Sequence, residues 1–319
     1  MKIILAFLLV SSKPLKVEIV FTSNIYGNFG KSKATWINPD FPPTLGGFES
    51  LQELINTERE KAKKQQILFL LFDTGNFTGG YITSDNLNAD SMAYFLNELK
   101  YDAINLGVKE LTVFPVRSRR YNFLPGALTL CGYLSKFNAD VISYNTRFLD
   151  APMRNLVKPY KIIQYRGVKI GVFGLVSENT PFFIYQDENL DPENKPFEIA
   201  KEYESAKEAV EALKREGCDI IVMLSSIGYY RERFLARDVP GIDLILGGFD
   251  GFGERQAYVD PVNHTIILRN YDYLSQVGKI ILNIDPIAKT IVSFEYTPIT
   301  LFEEEFTPLA PSEESEEQE

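Results

Sequence analysis

Residues 159–181 read PYKIIQYRGVKIGVFGLVSENTP and contain two predicted strands, at 161–165 and 169–173. Apolar runs of this kind recur along the chain and alternate with helical patterns. The early runs are rich in Ile, Val and Leu with little polar alternation, which is typical of strands buried on both faces. The later runs alternate more, as antiparallel strands with one solvated face do. We predict strands at 17–22, 67–73, 103–106, 141–144, 161–165, 169–173, 220–224, 244–246, 265–268, 279–284 and 290–296.

Three segments show the apolar spacing of helices. They are residues 48–63, which follow Gly46 and Gly47, residues 90–100, and residues 201–216, which end before Gly217. A glycine directly after a helix is a common C-terminal cap. The alternation of strands and helices predicts a layered α/β domain.

The charge of the chain is uneven. The 319 residues carry a formal net charge of −10, but residues 303–319 contain eight Glu and no Lys or Arg. The rest of the chain holds 35 acidic and 33 basic residues and is therefore nearly neutral. Because no basic block is present, we expect no nucleic-acid partner. We expect the acidic tail, 303–319, to be disordered, since it cannot contribute to a core.

The N-terminus has the order of a short secretory signal. Lys2 precedes an apolar run at 3–10, and Ser11 and Ser12 follow it. A positive charge, an apolar stretch and small residues are the three parts of such a signal. The run is too short to span a membrane. We predict a signal peptide at 1–15 and a periplasmic or secreted location; the alternative is an N-terminal core strand.

The two cysteines do not form a motif. Cys131 and Cys218 are far apart in sequence, and Cys218 directly precedes an apolar run. Isolated cysteines usually behave as small buried hydrophobic residues. We predict two free, buried thiols.

Eight segments together resemble one protein family, the 5′-nucleotidase-like (calcineurin-like) metallophosphoesterases. They occur in the family's order and are TSNIYGNFG (22–30), LGGFESLQELINTERE (45–60), FLLFDTGNFTGG (69–80), YDAINLGVKEL (101–111), VISYNTRF (141–148), residues 159–181 quoted above, residues 219–252 and VGKIILNID (277–285). The resemblance implies a four-layer αββα metallophosphoesterase-type sandwich, formed by a single domain at 16–302. Its site is expected at the carboxyl ends of the strands. The similarity ends near residue 301, before the nucleobase-stacking domain of full-length family members, so we expect no basis for nucleotide specificity.

The family's metal-binding positions are replaced throughout this chain. Active members use Asp, Asn and His side chains to hold two divalent ions, which polarise the phosphate and supply a hydroxide nucleophile. At the matching positions the chain has Asn24, Tyr26, Asn76, Val108, Lys109, Ser226, Phe249 and Gly251. In the second motif, the family's metal-bridging Asp aligns with Asn76. In the alternative alignment this chain has no residue at the position of that Asp. The glutamate of the third motif is retained as Glu110.

The donor chemistry leads to the same interpretation. The chain has one histidine, His264, in a predicted turn. The acidic candidates are Asp73, Glu110 and Asp250, and amide, phenol and hydroxyl groups are poor ligands for a tight dinuclear site. We therefore expect no metal cofactor, and we assign no catalytic residue. The chain is predicted to be a pseudoenzyme that binds an unknown protein or small ligand at the remodelled site face.

The alternative is a divergent hydrolase of phosphoesters or sulfur-linked conjugates with a non-standard site. That site would use Glu110, Asp73 and Lys109.

Two further questions are left open by the sequence. Lys109 could join Asn24 and Asn76 in a metal-free polar network, because ligand carboxylates left without metals would repel each other; the alternative is that Lys109 points to solvent.

The aromatic residues near the former site could either fill the vacated space or form a binding surface. Exposure distinguishes these two roles for Tyr229, Tyr230, Phe249, Phe252 and Tyr258.

Overall fold

The computed structural model describes residues 13–78, 86–111, 130–149, 151–180 and 197–306. For residues 86–90 it describes the backbone alone. Most of the predicted signal peptide, residues 1–12, and residues 307–319 of the predicted tail lie outside the described residues. The strands are β1 (Leu15–Thr22), β2 (Ser32–Lys33), β3 (Thr44–Leu45), β4 (Leu68–Asp73), β5 (Ala103–Asn105), β6 (Asp140–Ile142), β7 (Thr146–Phe148), β8 (Val157–Lys158), β9 (Tyr160–Tyr165), β10 (Val168–Val176), β11 (Phe197–Ile199), β12 (Ile220–Ser226), β13 (Leu244–Gly247), β14 (Tyr258–Val259), β15 (Ile266–Arg269), β16 (Gln276–Ile284) and β17 (Ile291–Thr300). The helices are α1 (Gly47–Gln65), α2 (Asn86–Leu99), α3 (Val108–Leu111), α4 (Ala151–Leu156), α5 (Glu202–Arg215), α6 (Tyr229–Asp238) and α7 (Glu303–Phe306).

Two large sheets form the centre of the molecule. The first has seven strands in the order β17-β16-β1-β4-β5-β6-β8, and the second has six in the order β14-β15-β13-β12-β10-β9. In the first sheet β1, β4, β5, β6 and β8 are parallel, while β16 and β17 are antiparallel. In the second, β10, β12, β13 and β15 are parallel and the edge strands are antiparallel. The central parallel strands are the continuous apolar runs of the sequence, as buried parallel sheets require.

The two sheets pack face to face, and helices cover their outer faces. Ile19 and Phe72 of the first sheet pack with Val172 and Leu246 of the second in one buried cluster. A second cluster joins α1 and α2 to the outer face of the first sheet. A third joins α5 and α6 to the outer face of the second sheet. The predicted four-layer αββα sandwich is thus confirmed.

The predicted elements agree with the structure except at a few places. Each of the eleven predicted strands and three predicted helices is present within a few residues of its predicted bounds. The short helix α6 was not predicted. Residues 303–306 of the predicted disordered tail form α7, because Lys31 Nζ bonds to Glu303 Oε1 at 2.7 Å and Phe306 packs against the helix-side core. Leu15, the last residue of the predicted signal, already belongs to β1.

The structure also bears on the predicted thiols and on the possibility of a membrane-spanning helix. Both Cys131 and Cys218 are free, as predicted, but they are half-buried rather than buried. Within the described ranges, no helix combines the length and the apolar character needed to cross a bilayer.

Candidate functional site

The candidate site lies where the loops after β1, β4, β12, β13 and β15 meet, at the carboxyl ends of both parallel sheets. Backbone hydrogen bonds join the first two loops. The N–H groups of Asn24 and Tyr26 donate to the carbonyls of Gly75 and Asn76 at 3.1 and 2.9 Å. These bonds bring the first and second family-like segments together, as the resemblance implies.

Several residues of these loops have left-handed backbone conformations. Asn24, Tyr26, Asn76 and Phe249 have φ values of 50°, 53°, 59° and 86°. Asparagine tolerates this region better than bulky aromatic residues do, and such strain persists only where surrounding contacts hold it. The loops are therefore fixed by their bonding rather than by local preference.

A chain of amide hydrogen bonds occupies the centre of the site. Asn76 Oδ1 accepts from the backbone N–H of Lys109 at 2.9 Å, and Asn76 Nδ2 donates to Asn24 Oδ1 at 2.9 Å. Asn24 Oδ1 also accepts from the backbone N–H of Phe249 at 3.1 Å. Since a backbone N–H can only donate, these contacts fix which end of each amide is oxygen.

The amide nitrogens extend the chain to the other loops. Asn24 Nδ2 donates to Asp272 Oδ1 at 2.7 Å, and Asn76 Nδ2 lies 3.4 Å from Ser226 Oγ. Asn24 and Asn76 therefore link all of the loops at this edge of the sheets. Burial raises the pKa of Asp272, while the bond from Asn24 opposes that rise.

Glu110 is fully buried behind the amide chain. Its carboxylate accepts backbone N–H bonds from Asn76 and Thr78, both at 2.9 Å, and from Gly107 at 2.6 Å. Burial raises the pKa of Glu110, and these three donors act against that rise. Glu110 thus holds the loop after β4 against the start of α3, and its side chain is closed off from solvent.

Asp73, at the end of β4, is also fully buried. It accepts hydrogen bonds from Thr22 Oγ1 at 2.6 Å and from the Gly75 N–H at 2.8 Å. Burial raises the pKa of Asp73 to about 8. Its side chain is held between Thr22 and the loop after β4 and does not reach solvent.

A buried arginine supplies positive charge at the same edge. Arg269, at the end of β15, is 1% exposed and forms ion pairs with Glu232 and Asp250. Its guanidinium also donates to the carbonyls of Gly248 and Phe252, both at 2.9 Å. Burial opposes its charge, but the two carboxylates raise the pKa of Arg269.

The carboxylates of this ion cluster have further donors. Asp250 Oδ2 accepts from the backbone N–H of Tyr229 at 2.6 Å, and Glu232 Oε1 accepts from Ser225 Oγ at 2.7 Å. Asp250 is therefore engaged by an arginine and a helix N-terminus at once. Sequence reasoning missed Arg269, Glu232 and Asp272; the segment RNYDYL, which begins with the last residue of β15, is the signal that could have indicated two of them.

The remaining sequence-predicted residues lie at the rim. The Tyr26 ring packs against Tyr273 with centroids 5.0 Å apart, and burial raises the pKa of the Tyr26 hydroxyl. Gly251 has a φ of 73°, and a Cβ at this position would lie 2.5 Å from Asp272 Oδ2. Only glycine therefore allows this close approach. Lys109 is half-buried and contributes its backbone N–H to the amide chain; a role for its ammonium group stays a prediction.

The residues present do not fit a dinuclear metal centre. Among the described residues, no group of three or more His, Cys, Asp or Glu side chains is placed to hold an ion. His264 lies in the turn before β15, at the opposite end of that strand from Arg269. At the centre, Asn76 directs an N–H₂ group toward its neighbours, and an amide N–H₂ is a donor with no lone pair for a cation.

The aromatic residues divide into two groups. Tyr230 and Phe252 are 75% and 64% exposed, whereas Tyr229, Phe249 and Tyr258 are partly buried. Tyr229 contacts Tyr230 with ring centroids 5.2 Å apart, and its face stacks on the Arg233 guanidinium at 4.3 Å. The partial burial of the inner rings is what the space-filling hypothesis predicts, whereas Tyr230 and Phe252 are open to contact from outside.

Comparisons with known proteins agree with this geometry at the level of the fold. No protein-family profile matches the chain. It is 24% identical to bovine 5′-nucleotidase over 249 residues, which are 76% of this chain and 39% of that protein. It is 28% identical to the snake venom 5′-nucleotidase of Gloydius brevicauda over 182 residues, which are 56% of this chain and 28% of that protein. The chain thus spans well under half the length of these curated relatives.

Solved structures show the same relationship. A 5′-nucleotidase precursor from Thermus thermophilus superposes with a TM-score of 0.72 and 21% identity, covering 91% of this chain and 55% of that one. The calcineurin-like phosphoesterase YfkN from Bacillus subtilis superposes with a TM-score of 0.63 and 18% identity, covering 90% of this chain and 91% of that one. The predicted fold is confirmed by both.

Replacing Asn24 by Asp tests the amide chain. In Asn24→Asp, an oxygen replaces the group that donates to Asp272, so two carboxylates meet and a buried hydrogen bond worth about 1–3 kcal/mol is lost. Their mutual repulsion raises the folded-state pKa of the pair above its unfolded value. The folded protein then binds more protons, so the destabilisation is small at about pH 4.5 and grows toward about pH 7.5.

Urea denaturation at both pH values measures the effect, with the exposed Asn138→Asp as the matched control. An equal loss of stability at both pH values, or a loss no larger than that of Asn138→Asp, would contradict the network.

Proposed function

Taking the chain as a relative of the 5′-nucleotidases and calcineurin-like phosphoesterases, we propose that it is a catalytically inactive homologue that binds a protein or small ligand. Binding takes place at the remodelled face of the former metal site. The observation that carries this proposal is the closed amide chain from Lys109 through Asn76 and Asn24 to Asp272. Asn24 and Asn76, which resemble the family's metal-ligand positions, bond here to each other and to neighbouring groups.

The acidic groups nearby support the loss of catalysis. A hydrolase of this class without metal needs a general base that can reach water or substrate. Glu110 and Asp73 are fully buried and are bonded to backbone and hydroxyl donors. Asp250 is paired with Arg269. These contacts argue against the alternative of a divergent hydrolase that uses Glu110 and Asp73.

The exposed rings support a binding role. Tyr230, Phe252 and Tyr273 are all exposed by more than half. Exposed aromatic side chains supply large apolar contact area at low entropic cost and often anchor interfaces. A face with such rings, and with Glu110 and Asp73 buried behind it, is suited to recognition rather than chemistry.

Metal content and turnover test the proposal directly. Purified protein is expected to contain Mn, Zn and Fe far below one equivalent, and to show no hydrolysis of generic phosphomonoesters, phosphodiesters or thiosulfonate conjugates. Any residual turnover is checked with Glu110→Gln. Two stoichiometric metal ions, or turnover that Glu110→Gln abolishes, would overturn the proposal.

Export is part of the same proposal. It is supported by the order of charge, apolar run and small residues at the N-terminus. Expression with residues 1–15 attached is expected to deliver a shortened chain to the periplasm or medium, detected by N-terminal sequencing. A full-length N-terminus in the cell interior would contradict export.

A further inference from the structure

A cleft of about 910 Å³ opens beside the candidate site and shares Gly251 and Asp272 with it. Its walls come from the chain between β1 and β3, from the loop between β13 and β14, and from the segment that joins β15 to β16, with Thr300 of β17. Trp36, Tyr271 and Tyr273 line it, and all three rings are exposed, Trp36 by 66%. The volume lies within the range of small-molecule pockets, about 300–1,000 Å³.

One buried group in the cleft lacks a partner. Gln276 is 8% exposed, and its Oε1 has no hydrogen-bond partner among the described residues. A buried carbonyl left without a donor is unfavourable, so a side-chain rotation that brings it to a ligand O–H or N–H group would be favoured. Gln276 also lines the cleft wall, and such a rotation would bring its amide to the ligand.

The other polar groups of the lining suit a ligand with many hydroxyl groups. Asn28, Ser32, Ser275 and Thr300 line the cleft together with Gln276. Amide and hydroxyl side chains both donate and accept, as sugar hydroxyls do. A nucleobase offers such groups only along one edge of a flat ring, and would leave most of this lining without partners.

Two cations stand at the same cleft. Lys33 and Arg255 line it, and both side chains are exposed. Within the described part of the chain Arg255 forms no ion pair, and Lys33 donates to Thr44 Oγ1 at 2.6 Å. The carboxylate of the lining, Asp272, is already bonded to Asn24. The cleft therefore offers positive charge for an anionic group.

We propose that this cleft binds an acidic sugar, a pyranose that carries a carboxylate. The apolar C–H face of the sugar ring packs on the aromatic walls, since the π face attracts slightly positive hydrogens. Its hydroxyl groups bond to Gln276 and the neighbouring hydroxyls, and its carboxylate pairs with Arg255. This inference rests on the proposed binding role of the site face and names the ligand class for it; no reaction is involved.

The experiment uses the intrinsic fluorescence of Trp36, which is the one tryptophan of the chain. The full chain is titrated with glucuronate, glucose, acetate and AMP at constant ionic strength. Glucuronate is expected to give a saturable change, with glucose about tenfold weaker because it lacks the charge-assisted bond. Acetate alone should give no saturation.

Two variants and one control locate the binding. Arg255→Ala and Gln276→Leu should each weaken glucuronate binding about tenfold. Gln276→Leu should not lower the melting temperature, because it removes a carbonyl that has no partner. Arg147→Ala removes an exposed arginine outside the cleft lining and should leave binding unchanged.

Three outcomes would overturn the proposal: no saturation with glucuronate, equal affinity for glucose and glucuronate, or tighter binding of AMP than of glucuronate. Binding that both cleft variants leave unchanged would do the same. None of these results bears on metal content or turnover, so the proposed loss of catalysis stands or fails separately.

Discussion

The hydrogen bond between the side chains of Asn24 and Asn76 links the loops after β1 and β4, which backbone hydrogen bonds also join, and the two amides extend this network to the other loops of the strand-end face. Each amide is oriented by a backbone N–H, from Phe249 or from Lys109, so neither side chain is able to turn a different group toward the centre. An Asp at either position would present two oxygens and a charge. Asn presents one oxygen and one donor, and therefore a chain of hydrogen bonds can close without a cation.

Charge at this edge is balanced from within the protein. Glu232 and Asp250 flank the guanidinium of Arg269, whose other donors bond to backbone carbonyls. A buried ion pair gains little net stability over apolar packing, but the loss of one partner leaves an uncompensated buried charge and is strongly unfavourable. Arg269 thus contacts two carboxylates beside the amide chain and supplies positive charge there, as divalent cations do in a metal centre.

Much of the fold could be predicted because its strands are continuous apolar runs and three of its helices have a clear apolar face. Helix α6 escaped prediction since its buried face includes Glu232 beside Leu235 and Ala236, so the charged residue interrupts the apolar pattern. The family-like residues Asn24, Asn76 and Ser226, which meet at the site, could be read from their order along the chain. The ion cluster could not, because Arg269 meets partners 19 and 37 residues away, and no local spacing encodes that contact.

The most direct measurement is anomalous diffraction from crystals grown with excess Mn²⁺, recorded at a wavelength where manganese scatters anomalously. The account predicts no anomalous peak in the space between Asn24, Asn76 and Asp250, and density for the Arg269 guanidinium between Glu232 and Asp250. A pair of strong peaks in that space, with the two asparagine side chains rotated toward them, would contradict it.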